Sequence, residues 1–199
     1  MQTFIEIFEY LFQILAGLYA AIALLRVLLQ LSRADYYNPM SQFIVKATQP
    51  FVGPIRKIIP SWKNLDIAAL VWCLAFQIVA IEIAALIIYQ TYVNPLNAIS
   101  WGAIGLLNLI LDIFFFGLLG LIIISFATML GGMHIRHPAI DLLHQLMSPV
   151  LRPFQRLLPP MGGLDLSPIL VFLMINVLRI VVMNMAKAVE LWPKVVPGI

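Results

Sequence analysis

The chain has 199 residues, 62% of them hydrophobic and 11% charged, and its mean hydropathy is +1.00. Soluble domains keep about a quarter of their residues charged, so a water-soluble globular domain is excluded and lipid must cover much of the surface. The net charge of +3 is small, no arginine-rich arm or aromatic-interleaved basic face points to nucleic acid, and Cys73, the single cysteine, leaves no intrachain disulfide and no CxxC pair.

The first predicted element covers residues 4–31. It lacks a basic n-region, carries Glu6 and Glu9, and is too long for an h-region, so it reads as a retained transmembrane helix and not a signal peptide. Arg26, near its inner end, is expected to snorkel to the headgroups. Glu6 and Glu9 are expected at the opposite rim, within reach of Lys187. Three further apolar runs, 67–93, 102–130 and 167–191, are also long enough to cross a hydrocarbon core of about 30 Å. Only helices or closed barrels satisfy the backbone in lipid, and the alternating strands of a barrel are absent from the sequence. The expected fold class is therefore an all-α membrane protein with four transmembrane helices, the second and third joined by the tight uncharged turn "NPLNAIS".

The other two connectors, 32–66 and 131–166, are long and basic. They hold Arg33, Lys46, Arg56, Lys57, Lys63, Arg136, Arg152 and Arg156, eight of the twelve Lys and Arg residues. The positive-inside rule places both in the cytoplasm, with both termini outside; Lys187 and Lys194 vote weakly the other way. The connectors also repeat each other. "QPFVGPIRKIIP" and "SPVLRPFQRLLP" align without a gap at an offset of 99, and Pro39/138, Pro50/149, Pro54/153, Pro60/159, Leu65/164 and Asp66/165 are identical. Residues 1–99 and 100–199 are thus two helix–connector–helix repeats. Two spans per repeat return the chain to its starting side, so the repeats are parallel and a pseudo-twofold axis runs along the membrane normal.

Within the connectors Phe43, Ile44, Ala47, Phe51, Ile55 and Ile58 recur at helical spacing, as do Ile140, Leu143, Met147, Val150, Leu151 and Phe154 in the second copy. An amphipathic helix of this kind lies in the interface, with anionic phospholipid headgroups as partners of Arg56, Lys57, Arg152 and Arg156, each cation contributing about 1 kcal/mol. Pro54 and Pro153 are expected to break or kink these helices. Ser148 reads as an N-cap with Pro149 in the first turn. In-plane anchoring is one use for such helices; docking a membrane protein or a second copy is another. Asp66 and Asp165, directly ahead of spans two and four, read as N-caps that meet the positive end of the helix dipole.

Counted back from the outer ends of their spans, Glu82, Asp112 and Arg179 lie 10 to 12 residues deep, about 15–18 Å and near the bilayer middle. Asn108, Asn176, Asn184 and Gln77 add polar groups nearby. Ionisable groups there cost at least ~2.5–3.5 kcal/mol when isolated, so they are expected to face inward and pair. Two uses stay open: an Arg–carboxylate clamp between helices, or a proton or cation site on the spare acid.

No Ser-His-Asp, HExxH, GxGxxG or P-loop pattern occurs, so no enzymatic activity and no cofactor are expected. His134, His137 and His144 cluster around Asp141. His137, Asp141 and His144 share one helical face, adequate for a weak metal site, but interfacial histidines are the simpler reading and no metal is expected.

The phrase "HPAIDLLHQLMSPVLRPFQRLLPPMGGLDLSPIL", with its forerunner "NPMSQFIVKATQPFVGPIRKIIP", resembles the YggT family of small membrane proteins. The resemblance runs through both halves and rests on Pro149, Arg152-Pro153, Arg156, Pro159-Pro160, Gly162-Gly163 and Asp165. The first copy departs from it, with Gly53 at the arginine of "LRP" and "SWKNLD" for "PPMGGLD". The resemblance implies a bacterial plasma membrane protein linked to osmotic tolerance and ion balance. Through Gram-positive and plastid relatives it also implies roles in division, nucleoid distribution or cytochrome b6 assembly. It brings no catalytic residues.

Overall fold

In a computed structural model, which describes residues 2–62, 65–131, 137–157, 167–192 and 194–197, the chain forms six helices. They are α1 (Gln2–Leu31), α2 (Pro39–Ile58), α3 (Ile67–Tyr89), α4 (Pro95–Gly131), α5 (Pro138–Leu157) and α6 (Ser167–Ala188). Four of them, α1, α3, α4 and α6, are long and apolar enough to cross a membrane. The described residues contain no strand, only an isolated bridge between Trp62 and Leu65 ahead of α3.

Small side chains set the closest helix pairing. Ala16, Ala20, Ala23 and Val27 of α1 are buried, as are Ala69, Cys73, Ala80 and Ala84 of α3, and the two helices pack along one another. Between membrane helices no hydrophobic force operates, so backbone approach through small residues supplies the packing energy. α4 lies against α3 and against α6.

Each connector helix sits between the two spans of its own repeat, and α2 touches α5, which puts both at one end of the bundle. Pro39 and Pro138 occupy the first helical position, where no N–H is needed. Ahead of them the Asn38 side chain accepts from the Met40 N–H at 2.9 Å and His137 Nδ1 from the Ala139 N–H at 3.2 Å. Ser148 therefore lies inside α5 and does not cap it. Nor do the prolines break the helices: Pro50 and Pro54 stand within α2, and Pro149 and Pro153 within α5. All four are exposed. Their i, i+4 spacing confines the lost hydrogen bonds to one outward stripe, where interfacial water can take the freed carbonyls.

The link between α3 and α4 also differs from expectation. "NPLNAIS" is not the turn, because α4 begins at Pro95; the chain reverses over 90–94, with Gln90 left-handed at φ 54°. Asn94 accepts from the Leu96 N–H at 3.0 Å and starts the helix.

The twofold relation holds where α1 meets α4 and α2 meets α5, but α3 packs on α4 while α1 and α6 do not touch among the described residues. Glu6 and Glu9 accordingly do not reach Lys187. The chain beyond α6 folds back instead. Val195 and Val196 are 0% and 1% exposed and pack with Ile81, Ala84, Ala85, Ala98 and Trp101. Three hydrogen bonds hold this segment: Trp101 Nε1 to the Val189 carbonyl at 3.0 Å, Gln13 Nε2 to that of Lys194 at 2.6 Å, and Gln77 Nε2 to that of Pro197 at 3.0 Å. Irregular backbone at membrane depth is tolerated only inside protein, and this tail meets that condition.

Candidate functional site

Two polar clusters stand out, one within the spans and one at the connector end. In the first, Arg179 of α6 donates to Asp112 Oδ1 of α4 at 2.5 Å. Asn108, one turn before Asp112, donates to its other oxygen at 3.2 Å. The guanidinium also lies over the Phe115 ring, 4.6 Å from its centroid, a cation–π contact that grows with desolvation. Both charged side chains keep over a quarter of their surface, 29% and 26%.

The remaining members of the expected layer are elsewhere. Because α3 ends at Tyr89, Glu82 lies only about seven residues, ~10 Å, from its end, and its Oε2 accepts from the Val93 N–H at 3.2 Å. It closes the α3–α4 link and does not meet Asp112. Asn176 is exposed and donates to the Phe172 carbonyl of its own helix at 2.8 Å; Asn184 is exposed as well. Gln77 is fully buried and engaged by the tail.

The second cluster is built on Asp66. Its Oδ1 caps α3, accepting from the Ala69 N–H at 3.2 Å, while Oδ2 meets Arg26 Nε at 3.4 Å and also pairs with Arg56. Arg26 does not snorkel to solvent; its side chain is 4% exposed and Asp66 is 0% exposed. The rest of its guanidinium is occupied by α2, donating to Thr48 Oγ1 at 2.8 Å and Gln49 Oε1 at 2.9 Å. One arginine therefore joins α1, α2 and α3. An aromatic group seals the same junction: Phe51 stacks on Trp72 at 4.6 Å, and Trp72 Nε1 donates to the Tyr19 hydroxyl at 3.2 Å. Sequence analysis missed Arg26, Thr48 and Gln49 as a unit. The available signal was opposite charge at matching depth, Arg26 near the end of one span and Asp66 at the start of the next.

Lys57, Arg152 and Arg156 are exposed on α2 and α5, and Pro60 follows α2. Asp165 and Pro159 of the second repeat, together with His134, lie outside the described residues. Asp141 and His144 line a polar cavity with Asp35 and Gln145 where α2 and α5 begin. Asn38 Nδ2 donates there to the Pro138 carbonyl at 2.7 Å, and Gln145 accepts from the Asp35 N–H at 2.7 Å, so the two connectors are tied together.

Four membrane-type helices and two connector helices tied to each other define a polytopic membrane protein made of a duplicated helix–connector–helix unit. The chain belongs to the CCB3/YggT family, whose model matches residues 2–87 and 100–186, one segment per repeat. It is 41% identical over 186 residues to an uncharacterised protein of Pseudomonas aeruginosa, covering 93% of this chain and 92% of that one. It is 38% identical over 175 residues to the uncharacterised protein YggT of Escherichia coli, covering 86% of each. No solved structure matches the chain.

Proposed function

We propose that this is a non-enzymatic scaffold or assembly factor that recruits a membrane or cytoplasmic partner to a platform formed by α2 and α5. The observation that carries the proposal is the Arg26–Asp66–Arg56 lock, which ties the connector helix α2 to the two spans α1 and α3. A mere anchor needs only apolar burial and cations; a docking face needs fixed geometry. Exposed Phe43, Phe51 and Ile58 on α2 and Leu157 on α5, with Lys57, Arg152 and Arg156, supply apolar and basic contact groups. Since both connectors hold most of the basic residues, the platform faces the cytoplasm.

A second proposal is support of ion homeostasis or osmotic tolerance through the spans. The partly exposed Asp112–Arg179–Asn108 group favours it, as a polar cluster in mid-span marks ion pathways in many membrane proteins. Complementation of a strain lacking the gene separates the two. Hyperosmotic growth and cation uptake rescued by Asp112→Asn, but not by Arg152→Gln with Arg156→Gln, supports the platform. The reverse pattern sinks it and leaves the spans as the working part.

A further inference from the structure

The last turns of α1, the 32–38 link and one face of α2 border a half-open cavity of about 540 Å³. That size falls within the roughly 300–1,000 Å³ of small-ligand pockets. Arg26, Arg33, Lys46 and Arg56 line it, together with Gln49 and Tyr36, and no carboxylate is among its described lining residues. Behind the wall, Asp66 offers one negative charge to two guanidiniums. Arg26 and Asp66 are buried while Arg56 keeps 38% of its side-chain surface, so the excess positive charge is open to the cavity, where an anion can pair with it. Arg56 also has a donor to spare, its buried Nε having no hydrogen-bond partner.

The second repeat serves as an internal comparison. Within the aligned connectors Lys46 and Arg56 correspond to Gln145 and Gln155, and the same offset carried back to Arg26 and Arg33 meets Ser125 and Gly132. All four cations are missing there, yet α5 forms with the same length and the same internal prolines as α2. The helix–connector–helix unit does not require them. They are concentrated in one repeat around one cavity.

We propose that this cavity binds an anionic phosphate group, either the headgroup of an anionic phospholipid or free phosphate, held by Arg33, Lys46 and Arg56 above the Arg26–Asp66 pair. Arginine's planar fork and lysine's compact charge are the usual phosphate ligands, and the cavity lies at the end of a span, where headgroups reside. The site shares Arg56 with the lock behind the platform role, so its test variant changes only Arg33 and Lys46, which take no part in that lock.

The test uses the full chain purified in an uncharged detergent, with binding read by native mass spectrometry and thermal shift. The probes are short-chain phosphatidylglycerol, short-chain phosphatidylcholine and inorganic phosphate. Arg33→Gln with Lys46→Gln is the test variant; both side chains are exposed, and Lys46→Gln installs the residue that the second repeat carries. Arg152→Gln with Arg156→Gln is the control for general surface charge. Phosphatidylglycerol binding that falls at least tenfold in the test variant and not in the control supports a headgroup site. Phosphate binding with the same sensitivity, and no preference for the lipid, supports a free-phosphate site. No binding of either probe, or equal losses in both variants, overturns the proposal. A loss of osmotic rescue with binding intact would instead strike at the platform or the spans.

Discussion

Gln77, near the middle of α3, donates a hydrogen bond of 3.0 Å to the main-chain carbonyl of Pro197, 120 residues further along. The bond carries the end of the described chain about 18 Å into the bundle, since Gln77 is twelve residues from the end of α3 at Tyr89, the end beside which the tail enters. Gly105 of α4 makes the space: a Cβ there would lie 2.5 Å from both Gln77 Nε2 and Val196 Cγ1. α1 and α6 stay apart, and the tail packs against α1, α3 and α4.

Gly105→Ala is expected to displace the tail at a cost of about 1–3 kcal/mol, the usual range for overpacking. Thermal unfolding in detergent should register it, whereas Gly120→Ala, whose new Cβ would sit 3.4 Å from Leu143, should not. In a Cys73→Ser background, a cysteine placed at Val196 should label with maleimide only when Gly105 is also changed. Equal labelling in both backgrounds would refute the buried tail.

Loss of the Asp66 charge leaves Arg26, 4% exposed, buried without its carboxylate and beside the partly exposed Arg56. Asp66→Asn should therefore destabilise by about 3–5 kcal/mol, as removal of one partner from a buried pair does. Adding Arg26→Met should recover part of that loss. A strictly additive double variant in thermal unfolding would mean that the two residues are not coupled.

For the mid-span pair, Arg179→Met alone leaves Asp112 without its cation, with the Asn108 amide still donating to it, and should cost ~2.5–3.5 kcal/mol. Arg179→Met with Asp112→Leu removes both charges and should be the more stable of the two. If the double variant proves the less stable, the pair contributes more than mutual neutralisation.

Glu82→Gln keeps an oxygen acceptor for the Val93 N–H and is expected to be nearly neutral, while Glu82→Leu orphans that donor and should cost about 1 kcal/mol. Because Glu82 and Asp112 share no partner, Glu82→Gln and Asp112→Asn should add within about 0.5 kcal/mol. A larger coupling would restore the single acidic layer that the helix ends argue against.

Much of the architecture was legible because its causes are one-dimensional. Apolar runs of about 20 residues mark spans by length alone, and the proline spacing repeated at an offset of 99 exposes the duplication. Proline misled on one point, the expected break in the connector helices, for a physical reason. Its cost depends on what surrounds the freed carbonyl, and Pro50, Pro54, Pro149 and Pro153 all stand on exposed faces of their helices. Depth estimates failed at Glu82 because they inherit every error in the helix end. Four residues of difference, 93 against 89, moved that acid from the bilayer middle to the α3–α4 link.

The sequence by itself determined that this chain lives in lipid, crosses it with four helices, doubles one helix–connector–helix unit and gathers its basic residues on the connectors. Composition and periodicity suffice for that, being sums and spacings along the chain. Only the tertiary structure decided that Arg26 turns inward to Asp66, that Asp112 takes Arg179 and not Glu82, and that the tail returns to Gln77. Each of these is a choice among partners far apart in sequence, and in a low-dielectric interior it is geometry that sets which charge or donor is left without one.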